Sequence, residues 1–536
     1  MTRVLAGTPR SSALWRPLRE PIFRNLLAAN AVSDVGAFMQ AVGAAWLMVS
    51  FGAGPMLLAL TQTAATLPFF VLALPAGAIG DIVDRRKLIL ATEVWMIVAT
   101  GALAALTLVG AMSPWLLLAL TFAISAGDAF ESPSWRALLP DLVPRDALAA
   151  ASALNGIEFN LARAVGPALA GVVIAVAGVG VAFALNAASF VGVLIVVARW
   201  KRPRHRDAVP VERFGGATIA AVRYVRYSPT VRALILRSGT VMFFASAVLA
   251  LLPSVARRAS PSALGYGYLL GAFGAGAIVG ALAIQAARAR WSDERIASAT
   301  VALLGAAIAA TSRARAMPAL AAVMLAGGGC WIVFISLVSA LVQGLAPDWV
   351  RARVLAVFML VFQGGLAAGS AVWGAVAERA GIDRALVWAG IGTFATAVLG
   401  RVWGLPSGAA DVSPWNHWRM PTLVDDVRPA LEDGPVLVTV EYSVRPDRAV
   451  EFVAAMHRYE RVRRRDGASR WGIYQDTEAA DRYVETFVVG SWAEHLRQHA
   501  RQTQADRALE EQIQACVRGE PSVRHLIYAR PFRFAE

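Results

Sequence analysis

Long apolar runs separated by short polar stretches fill the first three quarters of the chain, at 24–50, 55–79, 88–110, 114–131, 148–177, 180–199, 233–253, 264–287, 296–311, 317–342, 350–377 and 384–402. A bilayer core about 30 Å thick takes roughly 20 helical residues to cross at about 1.5 Å each, and a helix satisfies its own backbone hydrogen bonds there. Twelve membrane helices are therefore predicted. Arg3, Arg10, Arg16 and Arg19 precede the first run, but that run is too long for a signal peptide and lacks a small-residue cleavage site, so it reads as an uncleaved first helix.

After Leu405 the apolar runs shorten and charge becomes dense. Pro435–Val444 alternates as a strand, the stretch from Pro446 to Arg465 reads as a helix with proline in its first turn, and SRWGIYQD and RYVETFVVGSW read as two more strands. Ala493–Val517 reads as one helix, and SVRHLIYAR closes with a strand. The order βαββαβ predicts a ferredoxin-like sandwich. The fold class is thus an all-α polytopic membrane protein of two six-helix pseudo-repeats with an added α+β domain. The expected divisions are a six-helix bundle at 1–200, a basic linker at 201–230, a second bundle at 231–404, a linker at 405–433 and a soluble domain at 434–536.

A faint internal repeat supports the two halves. LLPDLV at Leu138–Val143 recurs as LAPDWV at Leu345–Val350, and Gly166, Gly171 and Gly178 have equally spaced counterparts in Gly369, Gly374 and Gly381. Two parallel repeats with a site between them are a common plan of secondary transporters.

Composition agrees: 57% of residues are hydrophobic, 16% are charged and the mean hydropathy is +0.53. The net charge of +14 and pI near 10.6 come from Lys and Arg flanking the helices and from the tail. No nucleic-acid motif accompanies them, so a nucleic-acid partner is not expected. Cationic residues concentrate in alternate loops, among them Arg85, Arg86, Lys87, Arg202, Arg204, Arg288 and Arg351, which places both termini in the cytoplasm and the protein in the inner membrane. Cys330 and Cys516 offer neither a disulfide framework nor a zinc cluster. No GxxxxGK[ST] loop is present, which disfavours an ATP-driven pump.

Charges within spans cost about 2.5–3.5 kcal/mol on insertion scales and call for an explanation. Asp34, Asp128, Glu131, Glu158, Arg163 and Arg237 are such residues. Asp34 falls near mid-depth of the first helix and leads as proton carrier or substrate contact, with Glu158, Arg163, Asp128 and Arg237 beside it as candidates. A structural ion pair is the plain alternative for each. Glu158 and Arg163, five apart, point to different sides of their helix and are expected to meet different neighbours. Glu93, six residues past Lys87, is placed near the interface and given no role.

GAIGDIVDRRK, from Gly77 to Lys87, resembles the signature loop of the major facilitator superfamily. Gly77, Asp81, Arg85 and Arg86 match it, while Ile82 and Asp84 depart from it. The resemblance implies a conformational latch. ARAVGPALAG, at Ala162–Gly171, resembles the superfamily's antiporter motif through Gly166, Pro167 and Gly171, although Ala170 replaces a glycine. SPSWRALLPDLVPRDALAAASALNG and SDVGAFMQAVGAAWLM are similar to the branch containing the enterobactin exporter and macrolide efflux proteins, the transmembrane secretion effectors. The resemblance implies alternating-access export of a siderophore-, macrolide- or drug-like molecule by proton antiport, with small molecule, protons and bilayer as partners. An importer or lipid flippase of the same fold, or a membrane-anchored sensor or enzyme, is the alternative.

The tail pattern resembles the dimeric α/β-barrel group, and His457, Trp471, Tyr474, His495 and His499 could line its cavity. No metal-ligand spacing or nucleotide loop is visible there, so no metal, cofactor or enzymatic activity is expected. A dimerisation or regulatory module is the expectation.

Overall fold

Local chemistry sets most helix starts. The computed structural model describes residues 14–200, 214–400, 411–415, 429–499 and 501–529. Helices α1 (Pro21–Ser50), α2 (Pro55–Ile82) and α4 (Pro114–Leu142) each begin with proline in the first turn, where its missing N–H has no helical partner to lose. Helix α3 (Arg85–Leu108) is capped by Asp84, whose carboxylate accepts from the Lys87 N–H at 3.1 Å. Helices α5 (Leu148–Ala177) and α6 (Val179–Arg199) complete the first half.

The second half holds α8 (Pro229–Ala259), α9 (Ala263–Arg288), α10 (Asp293–Thr311), α11 (Met317–Leu345), α12 (Arg351–Ala380) and α13 (Ile382–Leu399). Among the described residues, 11 helices are long and apolar enough to cross a membrane; α13, of 18 residues, takes the twelfth place. Helix α4 runs past its predicted end at 131 through a polar segment containing Pro133 and Pro140. Hydropathy marks the part suited to lipid, whereas the helix itself ends where its backbone bonding ends.

The repeated glycines occupy matching environments. Gly178 and Gly381 have φ of 86° and 89° and start α6 and α13, a left-handed conformation that glycine adopts without a Cβ penalty. Gly166 abuts Val35 and Phe38 of α1, and Gly369 abuts Phe243 and Ser246 of α8. Gly171 meets Leu264 and Gly267 of α9, while Gly374 meets Met56 and Ala59 of α2. The α5–α9 and α2–α12 contacts between halves are therefore related by the repeat.

Contacts group the described residues into two compact units. The first comprises those within Met1–Pro210, Leu236–Val338 and Met359–Leu405, and the second those within Val211–Ile235, Ser339–Phe358 and Pro406–Glu536.

In the second unit, the segment expected only as a linker contains helix α7 (Phe214–Tyr227), which buries Ala220, Ala221 and Tyr224 and leaves Ile219 and Val222 exposed. The remainder of that linker, 201–213, and most of the linker expected at 405–433 lie outside the described residues. The tail follows as β1 (Val436–Ser443), α14 (Ala449–Asp466), β2 (Ala468–Gln475), β3 (Arg482–Val489), α15 (Trp492–His499), α16 (Gln504–Ala515) and β4 (Ser522–Ile527). Its antiparallel sheet has the order β2-β3-β1-β4, a ferredoxin-like arrangement. Val436, Val438, Val440 and Tyr442 of β1 and Phe487 and Val489 of β3 are buried with Phe452, Ala455, Met456 and Tyr459 of α14.

The helix expected at Ala493–Val517 is two helices. Thr503 and Asp506 form a capping box that starts α16, with the Thr503 hydroxyl donating to Asp506 at 2.8 Å. The T-x-x-D signal was present in the sequence but lay inside an amphipathic run that reads as continuous.

Candidate functional site: a carboxyl network in the first half

Four helices of the first unit bring five acids together. Asp34 of α1 and Glu158 of α5 lie close enough to act on one another, and the Arg163 charge acts on Asp34. Glu93 of α3 and Glu131 of α4 form a second such pair, and the Thr92 hydroxyl donates to Glu131 at 2.8 Å. Asp128 acts electrostatically on both members of the second pair, and Asp34 on Glu131, so the two pairs form one network. Glu93 is only 2% exposed; Asp34, Glu131, Glu158 and Arg163 are half-buried and Asp128 is exposed.

Two sequence expectations change here. Glu158 and Arg163 do share a neighbour, Asp34, despite facing different sides of α5. A long arginine side chain can reach back along its helix, as helical side chains tend to lean, and the guanidinium lies 4.9 Å from the Phe159 ring centroid. Glu93 belongs to the network instead of standing idle near the interface, because α3 and α4 pack together and oppose it to Glu131. Sequence distance from Lys87 could not show that pairing.

Arg237 is not brought to this network. It is 1% exposed on α8 and donates to Glu294 of α10 at 2.9 Å and to Ser298 at 3.2 Å, an inter-helix ion pair.

In the first turn of α3, just after the α2–α3 loop, Arg86 donates to the Val197 and Ala198 carbonyls at 3.1 and 2.6 Å. A cation at the C-terminal end of α6 meets carbonyls that lack helical partners and the negative end of the helix dipole. Arg85 opens α3. The side chains of Gly77 and Asp81 lie outside the described residues.

Gly166 and Gly171 serve close packing, and Pro167 lies inside α5. A Cβ on Gly267 would stand 2.7 Å from the Pro167 carbonyl oxygen, so the motif forms half of a narrow seam between α5 and α9. A separate groove of about 590 Å³ between α9, α10 and α11 is lined by Val279, Leu303, Ala307, Val323 and Val333 among others. It contains none of the candidate residues, and its apolar lining suits lipid chains.

In the tail, the Glu485 carboxylate lies buried at 0% exposure and accepts from Arg463 at 2.9 and 3.0 Å, Trp471 at 2.9 Å and Tyr442 at 3.0 Å. The expected cavity residues separate into two groups. His457 packs edge-on to Trp471, and Tyr474 is exposed. His495 and His499 meet each other and His525 of β4, a residue absent from the sequence expectation.

A family model described as transmembrane secretion effector matches residues 12–532. The chain belongs to the transmembrane secretion effector family. The match to this major facilitator-type family includes the α+β tail as well as the membrane helices. Among its relatives, the multidrug efflux pump Tap of Mycolicibacterium fortuitum is 24% identical over 68% of this chain and 91% of its own length. The enterobactin exporter EntS of Salmonella typhimurium is 30% identical over 49% of this chain and 63% of its own. Over the first three curated relatives it matches, the chain spans less than half of their length. The fold is similar to a crystal structure of a bacterial homologue of the human lysosomal transporter Spinster, at TM-score 0.56 and 14% identity, covering 72% of this chain and 96% of that one.

Proposed function

We propose that this transmembrane secretion effector is a secondary active exporter in the inner membrane, with both termini cytoplasmic, moving a small, partly apolar molecule outward in exchange for protons. The observation that carries the reading is the pairing of Asp34 with Glu158 beside Arg163, two acids within a predicted span that act on one another. Two carboxyl groups brought together repel when both are ionised, so the pair is suited to take up and release a proton. Arg163 offers a competing partner for the deprotonated form. The second pair, Glu93 with Glu131, extends the acidic path across α3 and α4.

Coupling requires proton and substrate to bias the same two-state element. The glycine seams of α5 with α9 and α2 with α12 are the surfaces on which two halves could rock. The Arg85 and Arg86 loop, with Gly77 and Asp81, would latch one state. Relatives named as a multidrug efflux pump and an enterobactin exporter favour a drug- or siderophore-like cargo over uptake or lipid movement. The tail, whose sequence pattern resembles the dimeric α/β-barrel group, would pair two copies or regulate transport.

Inside-out vesicles with an acidic lumen and a pH-sensitive dye test the reading. Proton efflux from the lumen on adding a siderophore, macrolide or hydrophobic cation, absent with Asp34→Asn, is the expected result. Substrate accumulation that leaves the proton gradient untouched would overturn antiport.

A further inference from the structure

The C-terminal domain gathers three imidazoles that the transport reading does not use. His495 and His499 lie one turn apart on α15, with their Nε2 atoms 3.2 Å apart. His525 comes from β4, and one ring nitrogen from each of the three lies within 4.8 Å of the others. His495 is fully buried, while His499 and His525 are half-buried.

Hydrogen bonding among these rings leaves the cluster incompletely explained. His495 and His499 can share one N–H···N bond, and Gln498 stands beside His495, yet His525 Nε2 is buried without a hydrogen-bond partner. Such an orphan costs about 1–3 kcal/mol. Nearby, Trp492 stacks at a tilt, 5.5 Å from the His495 ring, and Arg463 is held by Glu485.

We propose that His495, His499 and His525 form a binding site for one divalent first-row transition metal ion, of the zinc class that prefers imidazole ligands. The 3.2 Å separation of the two Nε2 atoms matches the edge of about 3.3 Å that two nitrogens make around a tetrahedral ion at about 2.0–2.1 Å each. Rotation of the half-buried His525 ring closes the third side. Three protein ligands leave a fourth position for water or another small ligand. The ion would pin edge strand β4, which pairs only with β1 in the sheet, onto helix α15.

The test uses full-length protein without an affinity tag, purified in detergent and stripped with chelator. Cobalt is titrated by its visible absorption, and bound zinc is measured by elemental analysis. The expected result is about one ion per chain with a tetrahedral cobalt spectrum. His499→Gln and His525→Gln, both at half-buried positions, each weaken binding at least about tenfold, while His457→Gln does not. Metal also raises the melting temperature of the wild type but not of either variant. Equal cobalt spectra and affinities for wild type, His499→Gln and His525→Gln would overturn the site, as would no binding by a wild-type protein that melts cooperatively.

Discussion

Arg223 of α7 donates to the Glu494 carboxylate of α15 at 2.7 Å, tying the helix hidden in the linker to the α+β tail. Arg501 donates to the same carboxylate at 2.7 Å. Burial opposes ionisation of Glu494, but Arg501 and then Arg223 outweigh it and hold the group down at about 2. The folded value is below the usual value of 4.5, so the stabilisation is fully present above pH 4.5 and is lost as pH falls toward 2. Its size is of order 3 kcal/mol. Hydrogen-exchange protection factors across α7 and α15 should therefore fall over that window, and Glu494→Gln should already have low protection at neutral pH. Protection of the variant equal to wild type would contradict this linkage.

Trp349 stands where the first-half repeat has Leu142. Its ring meets Tyr224 edge-on at 6.0 Å, and the Arg501 guanidinium lies 4.4 Å from its centroid. Trp349→Leu restores the repeat but removes the aromatic and cation contacts, worth roughly 1–2 kcal/mol together. Faster proteolysis between α7 and the tail, with the membrane helices still folded, is the expected outcome.

Asp34→Asn should abolish proton-driven transport by at least about tenfold while preserving substrate counterflow, and Glu158→Gln should act in the same direction. Transport driven normally by pH in Asp34→Asn would remove the pair from the coupling step. Arg163→Ala needs a parallel melting curve, since loss of a half-buried charge also disturbs packing.

Gly267→Val tests the seam between α5 and α9. Its Cβ would press on the Pro167 carbonyl, and overpacking of this kind costs about 1–3 kcal/mol. We expect a lower melting temperature together with slowed transport. Gly101→Val, where a Cβ meets nothing within 4 Å, is the control.

Within the tail, Glu485→Gln leaves Arg463 buried without its counter-charge. Breaking a buried pair costs about 3–5 kcal/mol, enough to unfold a small domain. A circular-dichroism melt of the full-length protein should lose its tail transition at growth temperature.

The sequence by itself determined the long apolar helices, the glycine repeat and the succession of strands in the tail, but not helix α7 within the expected linker or the break between α15 and α16. These follow from runs and periodicities that neighbouring residues set together: enough apolar residues to cross lipid, glycines at fixed spacing, alternation in a strand. The capping box at Thr503 was legible in principle, and only the amphipathic run around it concealed the break. What the tertiary structure alone decided was which charged side chains meet. Glu93 reaches Glu131, and Glu158 and Arg163 both reach Asp34, because separate helices pack at angles that no local spacing encodes. His525 joins His495 and His499 because strand order brings β4 to α15. Burial and pairing are properties of contacts distant in sequence, so the chemistry of both sites waited on the fold.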